Sequence, residues 1–248
     1  MQMLNTGELS PVVAERSTPF FSDVLLRYPG AVHSLYIVGS AVTPDFREKG
    51  SVIHSVIIFH KIDFGFIQFI ASLGRKYGKR GIGAPLIMTP EYIRDSINVF
   101  PIEFHDFQLI HKTVAGEDIF KDIVISKAFL KLQCEREIKV RLIGLRQSYL
   151  TSLGDKRSLA EILSHSVVGC MPLIRGVLFL FDKEPPVKRH DAIRIFQELA
   201  SIDAGVFERL LQLRAGLIKP SKEELHHIFE HYHTVLENVE AFIDAIRL

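Results

Sequence analysis

Residues Leu35–Phe59, LYIVGSAVTPDFREKGSVIHSVIIF, decide the fold. Leu35–Val38 is a short apolar run of the kind that forms a buried strand, and Gly39-Ser40 breaks it. A polar connector follows. Val52–Phe59 is then a second apolar run, interrupted by His54 and Ser55. The stretch reads as strand, Gly-Ser turn, connector, strand. A glycine at the end of a buried strand lets the backbone turn sharply and lets a ligand approach closely. The serine beside it offers a hydroxyl and a backbone N–H to an anion.

Working outward toward the N-terminus, Ser10-Pro11 starts a helix, with serine as cap and proline in the first turn. Pro19 is expected to stop or reset that helix. Phe20, Phe21, Val24, Leu25 and Tyr28 then recur at helical spacing up to Pro29-Gly30. On the other side, Asp63–Tyr77 reads as an amphipathic helix burying Phe66, Ile67, Phe69, Ile70 and Leu73. The cations of Arg75–Arg80 at its end read as partners of the helix dipole rather than as a phosphate site. Gly78-x-x-Gly81-x-Gly83 precedes a strand and opens no helix, so it lacks the context of a dinucleotide-binding loop. Ala84–Met88 reads as a strand, Thr89-Pro90-Glu91 as a helix start and Ile102–Ile110 as a half-buried strand, with Gly116-Glu117-Asp118 closing the α/β region.

From Asp122 onward the periodicity is helical. Leu130, Cys134, Ile138, Leu142, Leu145 and Tyr149 form one long apolar stripe. Ser158-x-x-Glu161 and Ser221-x-x-Glu224 read as capping boxes opening later helices, with Ala192–Leu199 and Phe207–Leu213 between them. Four to five antiparallel helices make a bundle. The expected fold class is therefore α+β: a mixed-sheet domain with flanking helices over residues 1–120, then a helical bundle over residues 121–248.

Composition narrows the function classes. The 248 residues are 47% hydrophobic, too apolar for a disordered chain. Thirty basic and 29 acidic residues leave a net charge of +1, so no global field draws the chain to nucleic acid or acidic lipid. Cys134 and Cys170 sit in helical patterns and suit buried thiols in a reducing cytoplasm. The N-terminus lacks the basic-then-apolar pattern of a signal peptide. The most apolar helical stretch, Val167–Phe181, is too short to span a bilayer. A cytoplasmic protein with no membrane partner is expected.

The Gly-Ser strand pair, the GED segment at Gly116–Asp118 and the helix LKLQCEREIKVRLIGLRQSYL at Leu130–Leu150 together resemble the nucleotidyltransferase superfamily of DNA polymerase β and kanamycin nucleotidyltransferase. The helix looks like the first bundle helix of bacterial members. The resemblance covers most of the chain. It implies that Gly39 and Ser40 help hold the phosphates of a nucleotide, and it sets Glu103 in the place of a third, strand-borne carboxylate. The family's Asp-x-Asp pair, which binds two metal ions, has no match. Val52 and His54 stand in its place within Ser51-Val52-Ile53-His54. A two-metal clamp needs hard oxygen ligands about 3.5–4 Å apart, and a valine and an imidazole do not supply them for Mg²⁺.

The implied function is a catalytically impaired member, a pseudoenzyme whose inherited cleft binds a nucleotide or a partner protein, or whose apolar faces support a homodimer. The alternative is an active nucleotidyltransferase passing NMP from an NTP to a small molecule or a protein, with Mg²⁺ or Mn²⁺ on atypical ligands. A weaker alternative joins His54 and Glu103, with His60 or His105, at a transition-metal site. His227-Ile228-Phe229-Glu230-His231 has the spacing of an inverted zinc-peptidase motif, but reads as a solvated helix face.

Overall fold

The computed structural model describes residues 3–248. The chain divides into two compact units, one of Met1–Asn98 with Phe104–Val124 and the other of Val99–Glu103 with Ile125–Leu248.

The first unit is built on a mixed sheet with strand order β3-β2-β1-β4. The strands are β1 (Val32–Val38), β2 (His54–Phe59), β3 (Leu86–Met88) and β4 (His111–Gly116). β1 pairs antiparallel with both β2 and β4, and β3 runs parallel to β2. Helix α1 (Pro11–Arg27) and helix α2 (Phe64–Gly78) belong to the same unit. One face of the sheet, through Leu35, Ile37, Ile57 and Phe59, shares a core cluster with Phe20, Phe21 and Val24 of α1 and Ile70 and Tyr77 of α2. Burial of these side chains is the main stabilising term, about 1.5–3 kcal/mol each. On the opposite face the Tyr36 ring meets Phe120, with centroids 4.6 Å apart.

Local capping explains the helix starts. Ser10 accepts from the Val13 N–H, Asp63 from Phe66 and Thr89 from Tyr92, the last opening α3 (Pro90–Ser96). Each supplies an acceptor to an otherwise orphaned first-turn donor.

Two expectations for this unit are corrected. Pro19 does not interrupt α1, which runs through it. The hydrogen bond it removes is the one to the carbonyl of Glu15, an exposed residue that water can serve. Ile102–Ile110 is not a strand. Pro101–Leu109 is a helix, α4, with proline in its first turn. Ile102 and Phe104 are buried on either side of exposed Glu103, so this turn of the helix imitates strand alternation. The strand that completes the sheet is instead the more polar His111–Gly116, at the edge beside β1.

The second unit holds six further helices among the described residues: α5 (Lys127–Ser152), α6 (Lys156–Ser166), α7 (Cys170–Leu180), α8 (Arg189–Ala200), α9 (Gly205–Arg214) and α10 (Lys222–Asp244). Leu130, Cys134, Ile138, Leu142 and Leu145 of α5 are all buried. Ser158 does not open α6. Asp155 caps it and accepts from the Ser158 N–H at 2.9 Å, which places Ser158 inside the first turn. Ser221 and Glu224 do form the reciprocal capping box of α10. Lys156–Leu180 is long and apolar enough to cross a membrane by length and composition, but it breaks into α6 and α7, and 56% of its apolar window is buried. Buried Arg175 is spent on the carbonyls of Pro186 and Val187, at 3.2 and 2.9 Å, tying the loop after α7 to the helix.

Candidate functional site

The site is built where β1 leaves the sheet. Gly39 adopts φ +69°, a left-handed conformation natural to glycine, and its N–H donates to the Ile110 carbonyl at 3.2 Å. The chain then makes one 3-10 turn over Gly39–Val42. Thr43 closes it, its N–H and its hydroxyl both donating to the Ser40 carbonyl at 3.1 and 3.2 Å. Ser40 is half-buried at this corner.

Strand register brings two histidines to the same corner. Val38, the last residue of β1, is opposite His54 on one side and His111 on the other. Cross-strand partners share a face of the sheet, so His54 and His111 flank Val38 on that face. Val52 lies two residues before His54 and is 43% exposed. Val52 and His54 both border Gly83. A Cβ built on Gly83 would lie 2.9 Å from Val52 Cγ1 and 3.3 Å from His54 Nδ1. His54 is exposed as a residue, yet its ring is partly withdrawn from water, and this desolvation lowers its pKa. The direction favours a neutral imidazole at pH 7.

His111 was not singled out from the sequence. Its Nδ1 lies 2.7 Å from the Phe107 carbonyl, and its Nε2 lies 3.0 Å from both carboxylate oxygens of Asp118. The chain after β4 folds back to make this contact. The Tyr36 hydroxyl donates to the Glu117 carbonyl and accepts from the Ile119 N–H at 3.0 Å. Both ring nitrogens of His111 are thus engaged within the protein. The signal for it in the sequence was slight: a histidine opening a polar strand, and an aspartate seven residues on.

Glu103 stands elsewhere in the architecture than the resemblance implied. It is an exposed residue in the first turn of α4, not a strand residue. Its Oε2 accepts from Gln133 Nε2 at 2.8 Å, while Gln133 Oε1 accepts from the Ile102 N–H, also at 2.8 Å. Among the described residues none of the four strands carries an aspartate or a glutamate: they read VHSLYIV, HSVIIF, LIM and HKTVAG. No group of three or more His, Cys, Asp or Glu among the described residues is placed to hold a metal ion. The donor set at Val52 and His54, one hydrocarbon and one imidazole, does not fit the oxygen-ligated metal pair that the resemblance implies.

The charged residues of α5 are engaged within the second unit. Lys127 pairs with Asp182 at 2.7 Å, Lys131 with Glu135, and Arg141 donates to the Gly169 carbonyl at 2.9 Å. The histidines of α10 are likewise engaged: His226 with the Tyr149 hydroxyl at 3.0 Å, His231 with Asp203 at 3.5 Å, and His233 with Arg146 at 2.9 Å and Glu237 at 3.5 Å.

The α+β fold is similar to that of a nucleotidyltransferase. The chain is similar to a spectinomycin adenyltransferase from Enterococcus faecialis, solved with ATP and spectinomycin, at a TM-score of 0.53 and 10% identity. The match covers 91% of this chain and 98% of that one. No protein-family model matches the chain, and no curated protein does.

Proposed function

We propose that this chain binds a nucleotide through the corner at Gly39-Ser40 and does not carry out metal-dependent nucleotidyl transfer. The observation that carries the reading is a sheet whose four strands bear no aspartate or glutamate, with Val52 and His54 standing where the resemblance sets the Asp-x-Asp pair. Phosphoryl-type transfer relies on metal ions to neutralise charge on the transferred group. Without their ligands the corner keeps only what binds. Ser40 offers a hydroxyl, and His54 offers an imidazole whose depressed pKa keeps it a neutral hydrogen-bonding group. The similar adenyltransferase was solved with ATP, which supports a nucleotide as the ligand class.

Titration of the protein with ATP, GTP, CTP and UTP, with and without Mg²⁺ or Mn²⁺, tests the proposal. The expected result is binding that is indifferent to metal and is weakened by Ser40→Ala. Binding that requires the metal, with release of pyrophosphate on adding an acceptor, would establish transfer on atypical ligands instead. No binding of any nucleotide overturns the proposal.

A further inference from the structure

A concave site lies in the first unit, lined by α1, the loop before β2 and the turn after α2. This groove of about 690 Å³ includes Arg16 of α1, Glu48 and Val52 of the loop, and Lys79 and Arg80 beyond α2. Its size is that of small-molecule sites, about 300–1,000 Å³. Neither Gly39 nor Ser40 lines it.

Its cations are not accounted for by the fold. Arg75 and Lys76 occupy the last turn of α2, where they complement the helix dipole, and Lys76 is paired with Asp23 at 2.8 Å. Lys79 and Arg80 lie past the end of the helix, are exposed, and make no ion pair among the described residues. Arg80 has only the edge of a stacking contact, 6.0 Å from the Tyr77 ring centre. Arg16 is held in place by one bond, Nη1 donating to the Glu48 carbonyl at 3.0 Å, which leaves its other N–H groups unspent.

The walls are ordered to present these side chains. Ser51 Oγ accepts from the Arg47 N–H at 3.1 Å and closes the loop. The last two carbonyls of α2 accept within the turn: Arg80 and Ile82 donate to Tyr77, and Gly81 donates to Gly78, at 2.9–3.1 Å. Glu15 and Glu48 also line it, so its charged side chains are three cations and two carboxylates.

From this arrangement we infer a binding site for a phosphate monoester that carries hydroxyl or amine groups, of which a sugar phosphate is the simplest case. The phosphate dianion matches the fork of Arg16 together with Lys79 and Arg80. The carboxylates of Glu15 and Glu48 accept from the hydroxyl or amine end. A bare anion would meet their repulsion without that return, so inorganic phosphate binds less well than the ester.

The test is calorimetric titration with ribose 5-phosphate and, separately, inorganic phosphate, on the wild type, the Lys79→Ala/Arg80→Ala variant and the Ser40→Ala variant. Ribose 5-phosphate binds the wild type saturably and more tightly than inorganic phosphate. The double variant loses at least about tenfold in affinity, as expected for removing charge-assisted hydrogen bonds. Ser40→Ala leaves binding unchanged, which separates this groove from the nucleotide corner. Both altered residues are exposed, and an unchanged thermal transition confirms that the variant is folded. Absence of saturable binding, tighter binding of inorganic phosphate, equal affinity in the double variant, or loss of binding on Ser40→Ala would each overturn the inference.

Discussion

Gly116→Ala is the sharpest perturbation the sheet offers. Gly116 has φ +78° and pairs with Ser34 across β1 and β4. A methyl group there would sit 2.1 Å from the His33 carbonyl oxygen and 2.8 Å from Ser34 Cα, both backbone atoms that cannot swing aside. Two costs combine. The left-handed conformation costs an alanine about 1–2 kcal/mol. Moving one strand off another adds about 1–3 kcal/mol, by analogy with overpacked cores. Gly39→Ala isolates the first cost, because Gly39 has φ +69° and open space around its missing Cβ. Amide hydrogen exchange of β1 and β4 reads this unit separately from the helical one. At about 1.4 kcal/mol per tenfold, Gly39→Ala lowers protection by about 5- to 30-fold, and Gly116→Ala by about 30- to several thousand-fold. Equal losses in the two variants would refute the close-approach argument. Because Gly116 leads directly into Glu117 and Asp118, its substitution is also expected to loosen the His111–Asp118 pair.

Four further outcomes are expected. Gln133→Leu keeps the volume but strips the buried Ile102 N–H of its acceptor, and a loss of about 1–3 kcal/mol in urea unfolding checks it. Ser221→Ala removes half of the α10 capping box and costs about 1 kcal/mol by the same measurement. Lys76 and the Tyr77 hydroxyl donate to Asp23 and hold its carboxyl below the usual carboxylate range. A depressed folded pKa stabilises above the unfolded value, near pH 4, and is lost as pH falls through the folded one. The stability advantage of wild type over Asp23→Asn is therefore full at pH 7 and shrinks on acidification, as thermal unfolding against pH will show. Burial pushes up the thiols of Cys134 and Cys170, so a thiol reagent should modify neither until urea unfolds the bundle.

The parts of the fold legible in the sequence were those with a short-range cause. Ser10-Pro11, Asp63 and Thr89-Pro90 act on donors three residues away, so their helices could be read locally. The α5 stripe was legible because one side of that helix is buried along its length. Residues 101–116 were not. The apolar segment there is a helix whose buried Ile102 and Phe104 flank exposed Glu103, and the polar segment after it is a strand whose place depends on pairing with β1. Proline at the first position of α4 is the local signal for a helix there, and the apolar alternation after it outweighs it in a strand reading. Glu103 went to a strand by the same error. Asp155 was passed over as a cap because Ser158, three residues on, also fitted the pattern.

At the candidate site, residues that shape the corner and residues that would set its chemistry are separable. Gly39-Ser40 is needed by the topology: β1 must leave the sheet beside Ile110, and a left-handed residue makes that turn. The interior positions of β2 are needed by the core, since Val56, Ile57, Ile58 and Phe59 are fully buried. Val52 and His54 serve neither purpose. His54 opens β2 and Val52 lies two residues before it, both exposed as residues, so an aspartate or a valine there changes little of what is buried. Carboxylates at those two places could therefore be absent while the sheet kept its register. A fold similar to another at 10% identity is therefore compatible with exposed residues at this corner that differ freely in chemistry. For the same reason, function here has to be argued from the few exposed side chains at one end of the sheet, and not from the fold that holds them.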